Sequence, residues 1–182
     1  MELFLFVMLL GMVGYHFQVL GKLEKKREAA AKYSTRDSAN QLRFVMSADF
    51  HKKHIMSKAE YRVFKVVEGV VKTTSGGHRV FAQTSLGEVI GPDDQKAFES
   101  INSKRVDIMI IDPFGHPAAA IEYQGGGHYQ GDAAARDAVK REALRKAGVA
   151  FIEIAAEEGE DAIRDKVAKS LRLHQPATAA RI

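Results

Sequence analysis

The 182-residue chain has no cysteine. A disulfide framework, a thiolate zinc site and a cysteine nucleophile are thereby excluded. Its one glycine cluster, Gly125 to Gly127, is not followed by Gly-Lys-Ser/Thr, so it is not a phosphate-cradling loop, and no nucleophile elbow for a serine hydrolase is present. Internal repeats and long low-complexity runs are also missing. Formal charge is scarce at the start, where residues 1–21 carry only Glu2.

The charge that is present is unevenly placed. The formal total is +4 with a pI near 9.2, which taken alone suggests a nucleic-acid partner. Residues 22–60, however, hold ten Lys or Arg against five acids, and residues 61–182 hold seventeen of each sign. The surplus therefore adjoins the N-terminal segment, and the rest of the chain is neutral overall. With 46% hydrophobic residues the length suits one domain with its own core plus an appendage.

The appendage begins with "LFLFVMLLGMVGYHFQVL", Leu3 to Leu20, 18 residues without a formal charge. At helical rise it spans about 27 Å, enough to cross a bilayer. Lys22, Lys25, Lys26 and Arg27 follow at once, and a basic flank predicts that the C-terminal side faces the cytoplasm. A cleaved signal peptide fits less well, since no basic region precedes the apolar stretch. The expectation is a single-pass anchor in the cell membrane over 1–21, a basic helical linker over 22–54, a domain over 55–173 and a loose tail over 174–182.

Within the domain, "SKAEYRVFKVVEGVVKTT" places Tyr61, Phe64, Val67 and Val71 at helical spacing after Ser57, a suitable N-cap. "HRVFAQTSLGEVI" reads as one or two strands, and "PDDQKAFESI" as a short helix opened by its proline. Two apolar runs, "RVDIMIID" and "PAAAIEYQ", flank the turn-rich "DPFGHP" and predict a hairpin. A helix capped by Asp132 follows, with Ala135, Val139, Ala143 and Ala147 in register and Gly148 as its stop. "VAFIEI" is a further strand, and "EEGEDAIRDKVAKSLRL" an amphipathic helix with acids first and bases last, as the helix dipole prefers.

The hairpin carries the chemistry. A turn symmetric about Asp112 and Pro117 opposes Asp107 to Glu122 on one face, with Cβ atoms about 5 Å apart. At that distance two carboxylates repel unless a cation lies between them. Gln124 shares the face, because side-chain direction repeats every second residue. Oxygen donors without cysteine or clustered histidine indicate a hard ion, Mg²⁺ or Mn²⁺.

Each of these residues also has an ordinary structural use. Asp107 can pair with Lys104 or Arg105, Glu122 can reach solvent, and Glu60 can close a capping box on Ser57. Lys140 can be a solvated helix residue and Asp137 a surface partner of Arg141. His128 can be a loop residue or a donor to a phosphate or water. His51 and His54 in "DFHKKH" lie in a polar linker and make a weak metal motif.

An acid on the first helix, a strand with "VD", a strand with "IEYQ", then "GGGH", "RD", a lysine and "KAGVAFIEI" resemble the PD-(D/E)XK nuclease superfamily over about residues 55–160. The likeness is to its compact branch, related to very-short-patch repair endonucleases and to the domain of unknown function 2726 family. The resemblance implies an α/β restriction-endonuclease-like αβββαβ core, a mixed central sheet flanked by helices, and Mg²⁺- or Mn²⁺-dependent hydrolysis of nucleic-acid phosphodiesters, DNA ahead of RNA. It implies Asp107, Glu122 and the Gln124 carbonyl as metal ligands, Glu60 as the first-helix acid and His128 as the loop histidine. The superfamily commonly has lysine where this chain has Gln124, and an amide cannot supply a positive charge to a phosphate. Lys140 is the candidate replacement. The alternative is a nuclease-fold domain that binds or scaffolds at the membrane without turnover.

Overall fold

The computed structural model describes residues 2–32, 34–74, 76–125 and 133–173. By contacts the chain divides into residues 1–53 and 54–182. In the first unit α1 runs from Glu2 to Lys32 and α2 from Ser38 to Met46. Sequence periodicity did not reveal α2, which buries none of its residues. The Asp37 carboxylate starts it by accepting the Asn40 N–H at 3.0 Å, an N-cap that acts locally without a core face.

The expected membrane span is not upheld. Among the described residues no helix is long and apolar enough to cross a membrane. The transmembrane element of the expected architecture and the single-pass, cytoplasm-facing placement fall with it. A span needs about 20 predominantly apolar residues. The described stretch of α1 instead carries Tyr15, His16 and Gln18, and continues as the same helix through Lys22, Glu24, Lys25, Lys26 and Arg27. The side chains at 2–7 and 10, which open the expected span, lie outside the described residues.

The second unit is α/β with a four-stranded mixed sheet in the order β1-β2-β3-β4. Helix α3 (Lys58–Thr73) leads to β1 (Arg79–Ser85), a 3₁₀ turn at Leu86–Glu88 and α4 (Gln95–Ile101). Strands β2 (Arg105–Ile111) and β3 (Pro117–Gln124), helix α5 (Ala133–Lys146), β4 (Ala150–Ala155) and α6 (Glu160–Leu173) complete it. The pairs β1/β2 and β2/β3 are antiparallel, and β4 runs parallel to β3. The parallel strands β3 and β4 are joined through α5, as parallel strands require a crossover.

The central strands alternate between two apolar layers, which is why their sequences read as near-continuous apolar runs. Ile108, Ile110, Ala119, Ile121, Ile152 and Ile154 face Val63, Val67, Val70, Ile163 and Val167 of α3 and α6. Met109 and Ala120 join Leu86, Ile101, Leu144 and Val149 on the other side. Helix α3 is rich in valine, a weak helix former, so packing rather than propensity holds it. Its buried stripe is Val63, Val66, Val67, Val70 and Val71. Of the four residues expected there, Tyr61 is exposed and stacks on half-buried Phe64, with ring centroids 6.3 Å apart.

Other boundaries shift for local reasons. Pro92 precedes α4, whose N-cap is Asp94, accepting the Ala97 N–H at 2.8 Å. On α5 the residue driven fully inside is Leu144, while Val139 is exposed. Gly148 ends that helix as expected, with a left-handed φ of 72°. The Asp132 cap and the tail at 174–182 lie outside the described residues.

Candidate functional site

The β2/β3 ladder has the register that the sequence implies, with Ile108 opposite Ile121 and Met109 opposite Ala120. A shift between Ile110 and Ile111 absorbs the turn, pairing Ile111 with Pro117. Continued one step, the same register sets Asp107 against Glu122. The recorded pairing stops just short of them, and side chains take over where backbone pairing ends.

Asp107 is clamped from both neighbouring strands. Its Oδ2 accepts the backbone N–H of Tyr123 on β3 at 2.9 Å, and its Oδ1 accepts Nε2 of Gln83 on β1 at 3.2 Å. These are the partners it has in place of Lys104 or Arg105. Burial raises its pKa above the usual aspartate value. The Tyr123 N–H opposes the rise, the Glu60 charge adds to it, and Gln83 and Lys140 pull it back.

Glu122 is 7% exposed, the one buried charged residue among those described. A buried carboxylate needs a partner or must neutralise. Here Lys140 reaches from α5 and donates from Nζ to Glu122 Oε1 at 2.8 Å and to Asp137 at 3.2 Å. Even so, burial pushes the Glu122 pKa up to about 7, with the Asp107 and Asp137 charges adding to the rise against Lys140. Burial works against the Lys140 ammonium too, but its two acidic partners carry its pKa above the ordinary lysine value. One cation therefore stands among several acids, and the cluster keeps an excess of negative charge.

The structure thus brings Asp107, Glu122 and Lys140 together. Glu60 forms its capping box, accepting the Ser57 N–H at 2.6 Å while its own N–H donates to Ser57 Oγ at 3.2 Å. Its charge also reaches Asp107, so the capping role and a place near the site are compatible. Gln124, half-buried at the end of β3, lines an adjacent groove of about 970 Å³ with Asp137, Arg141 and Glu153. Arg141 pairs with Glu153 at 2.6 Å rather than with Asp137. His128 lies outside the described residues, and His51 and His54 are exposed.

Two contributors escape the sequence. Asp137 is three residues before Lys140 on one helix edge, a spacing visible in the chain, but the burial that makes the pair matter is tertiary. Gln83 has no sequence signal, because nothing local brings a β1 amide to a β2 acid.

Among the described residues no group of three or more His, Asp or Glu is gathered to hold a metal ion. A two-carboxylate set still suits Mg²⁺, which keeps several waters and is often held by one or two carboxylates plus substrate phosphates. Burial is the main cause of the raised pKa of both Asp107 and Glu122, and the Asp107 charge adds to the rise at Glu122, so a cation beside them would favour their ionised forms.

Comparisons with known proteins find relatives and a family. An uncharacterized protein of Haemophilus influenzae is 46% identical over 114 residues, covering 63% of this chain and 60% of that protein. The uncharacterized protein y4bI of Sinorhizobium fredii is 42% identical over 111 residues, covering 61% of this chain and 80% of its own. The chain thus spans about three fifths of the first relative's length. No solved structure matches it. Residues 52–171, which include both acids, Lys140 and the whole four-stranded sheet, match the family described as protein of unknown function DUF2726, and the chain belongs to that family.

Proposed function

We propose that residues 54–173 form a PD-(D/E)XK-like nuclease domain that hydrolyses phosphodiester bonds of nucleic acid, DNA ahead of RNA, with Mg²⁺ or Mn²⁺. The observation that supports this most is the nearness of Asp107 and Glu122 just beyond the β2/β3 ladder, where the Asp107 charge acts on Glu122, with Lys140 bonded to Glu122 from the following helix. The element order α3-β1-β2-β3-α5-β4 supports it as well, since it is the αβββαβ arrangement once the short α4 insertion is set aside.

Asp107 and Glu122 would hold the ion, and the backbone carbonyl of Gln124 is a third candidate donor. When bound, a divalent ion supplies polarisation of the scissile phosphate and a lowered pKa for water. Lys140 would place a positive charge beside the phosphate oxygens, the role that the Gln124 amide cannot fill. Its raised pKa keeps it protonated, so it acts as a fixed charge rather than as a base. Asp107, half-buried and held by two donors, keeps its orientation without an ion pair that would cancel its charge. Glu60 adds negative charge near Asp107. His128 enters this reading only through the resemblance.

A second reading is favoured by one feature: Lys140 bridges Glu122 and Asp137, so the chain partly neutralises its own acids. The domain would then bind nucleic acid or protein without turnover. A cleavage assay on single- and double-stranded DNA with and without Mg²⁺ decides between them. The hydrolase reading expects Mg²⁺-dependent nicking that falls at least about a hundredfold in Asp107→Ala and in Glu122→Ala. Binding without cleavage in the unsubstituted chain would leave the second reading standing.

A further inference from the structure

We propose that Gln83 is a positioning residue for the Asp107 carboxylate, held in a left-handed backbone conformation inside β1 so that its side-chain amide reaches Asp107 Oδ1. The functional weight of this inference rests on the preceding reading of Asp107 as a metal-holding acid. Its structural part stands independently.

Gln83 has φ of 51°, the one non-glycine residue with positive φ among those described. It lies in the middle of a strand, where that conformation interrupts pairing. The β1/β2 ladder accordingly pairs Ala82 with Ile108 and Thr84 with Val106 and passes over Gln83 and Asp107 between them. Where a strand merely needs an irregularity, glycine, asparagine or aspartate adopts the left-handed region at lower cost. Glutamine has no such local advantage. What it adds is length: its Nε2 crosses to β2 and donates to Asp107 at 3.2 Å.

The result is a carboxylate fixed by one donor on each oxygen, from β1 through Gln83 and from β3 through the Tyr123 N–H. Each ionised oxygen has a second lone pair, so both can still accept from or ligate another group. The chemistry of the donor matters too. A lysine or arginine at this position would fix the acid equally well but would neutralise it, whereas an amide orients it and leaves its charge for a cation. Backbone strain concentrated at a functional group is the pattern expected of pre-organisation.

The test separates the backbone from the amide. Gln83→Gly permits the left-handed φ and deletes the donor; Gln83→Ala deletes the donor and disfavours the φ. In the full chain, residue-resolved hydrogen exchange reports the Tyr123 amide, whose acceptor is Asp107, with no metal present. Loss of the Gln83 donor should speed Tyr123 exchange about tenfold in Gln83→Gly while the ladder amides of Ile110 and Ile121 keep their rates. The Mn²⁺ dissociation constant should rise about tenfold in the same variant, the usual scale for losing a group that orients a metal ligand. Unchanged Tyr123 exchange in Gln83→Gly overturns the inference whatever the metal does. If Tyr123 exchange quickens while the unsubstituted chain binds no Mn²⁺, positioning holds and the metal-site reading fails. Gln83→Ala, should it fold, must unfold at a lower temperature than Gln83→Gly; the reverse order overturns the claim that the backbone there is strained.

Discussion

Burial keeps the Glu122 proton on into the neutral range, and the consequence for stability has a definite sign. Below about pH 4.5 the carboxyl is protonated in folded and unfolded chains alike, and between there and about 7 the folded chain alone retains the proton. The stabilising contribution is therefore complete below the unfolded value and lost as pH rises through about 7. Asp107, also raised, adds in the same direction. Urea denaturation from about pH 5 to about pH 8 should show Glu122→Gln gaining on the unsubstituted chain, by on the order of 2 kcal/mol, as pH rises. Parallel profiles for the two proteins would contradict the burial argument. Lys140 gives a second test. Lys140→Ala leaves Glu122 buried without its donor and should cost about 1–3 kcal/mol, together with most of any cleavage activity. Lys140→Arg should restore stability better than activity, because a planar fork does not put its charge where a compact ammonium does. Of these residues the sequence marked Asp107, Glu122 and Lys140 through register and resemblance. It could not show that Glu122 is buried or that Lys140 bonds to it, because both depend on how α5 lies against β3.

Single contacts hold the elements that carry these residues, so the elements can be tested one at a time. Helix α5 brings Lys140 to the sheet and is itself seated by Leu144, fully buried against Met109, Ala120 and Val149. Leu144→Ala should cost about 2–5 kcal/mol in equilibrium unfolding, with the loss largest if the helix cannot settle into the cavity. The loop between β1 and β2 is pinned differently. A Cβ at Gly87 would lie 2.7 Å from the Asn102 Cα, while Ser85 Oγ donates to the Asn102 carbonyl at 2.9 Å and the Leu86 N–H to the Lys104 carbonyl at 2.8 Å. Gly87→Ala should thus destabilise by about 1–3 kcal/mol; a neutral result would mean that the 3₁₀ turn yields freely. Sequence periodicity found α3, β2, β3, β4 and α6 because each has an apolar pattern with its own period. On α3 it placed Val67 and Val71 inside correctly but included Tyr61, which is exposed: Tyr61 fits the same spacing, and only the shape of the sheet chooses between neighbouring stripes. It missed α2, which has no buried face to leave a pattern.

For the whole molecule, the division into 1–53 and 54–182 predicts separable behaviour. The second unit has both apolar layers, all four strands and both acids, so a chain beginning at His54 should unfold cooperatively within a few degrees of the full chain's midpoint. A lost or broadened transition would show that residues 1–53 complete its core. Composition determined much of what this protein is: without cysteine it can have neither thiolate chemistry nor disulfides, and its neutral, apolar-rich C-terminal two thirds were bound to form a core. The hairpin of "RVDIMIID" and "PAAAIEYQ" determined the register, since a slip of one residue would exchange side chains between the two apolar layers and put Asp107 and Glu122 on opposite faces. Tertiary structure alone decided what surrounds the two acids. Partners such as Gln83, Tyr123 and Lys140 come from three different elements, and burial, charge and strain at one point are sums over neighbours that no local stretch of chain contains.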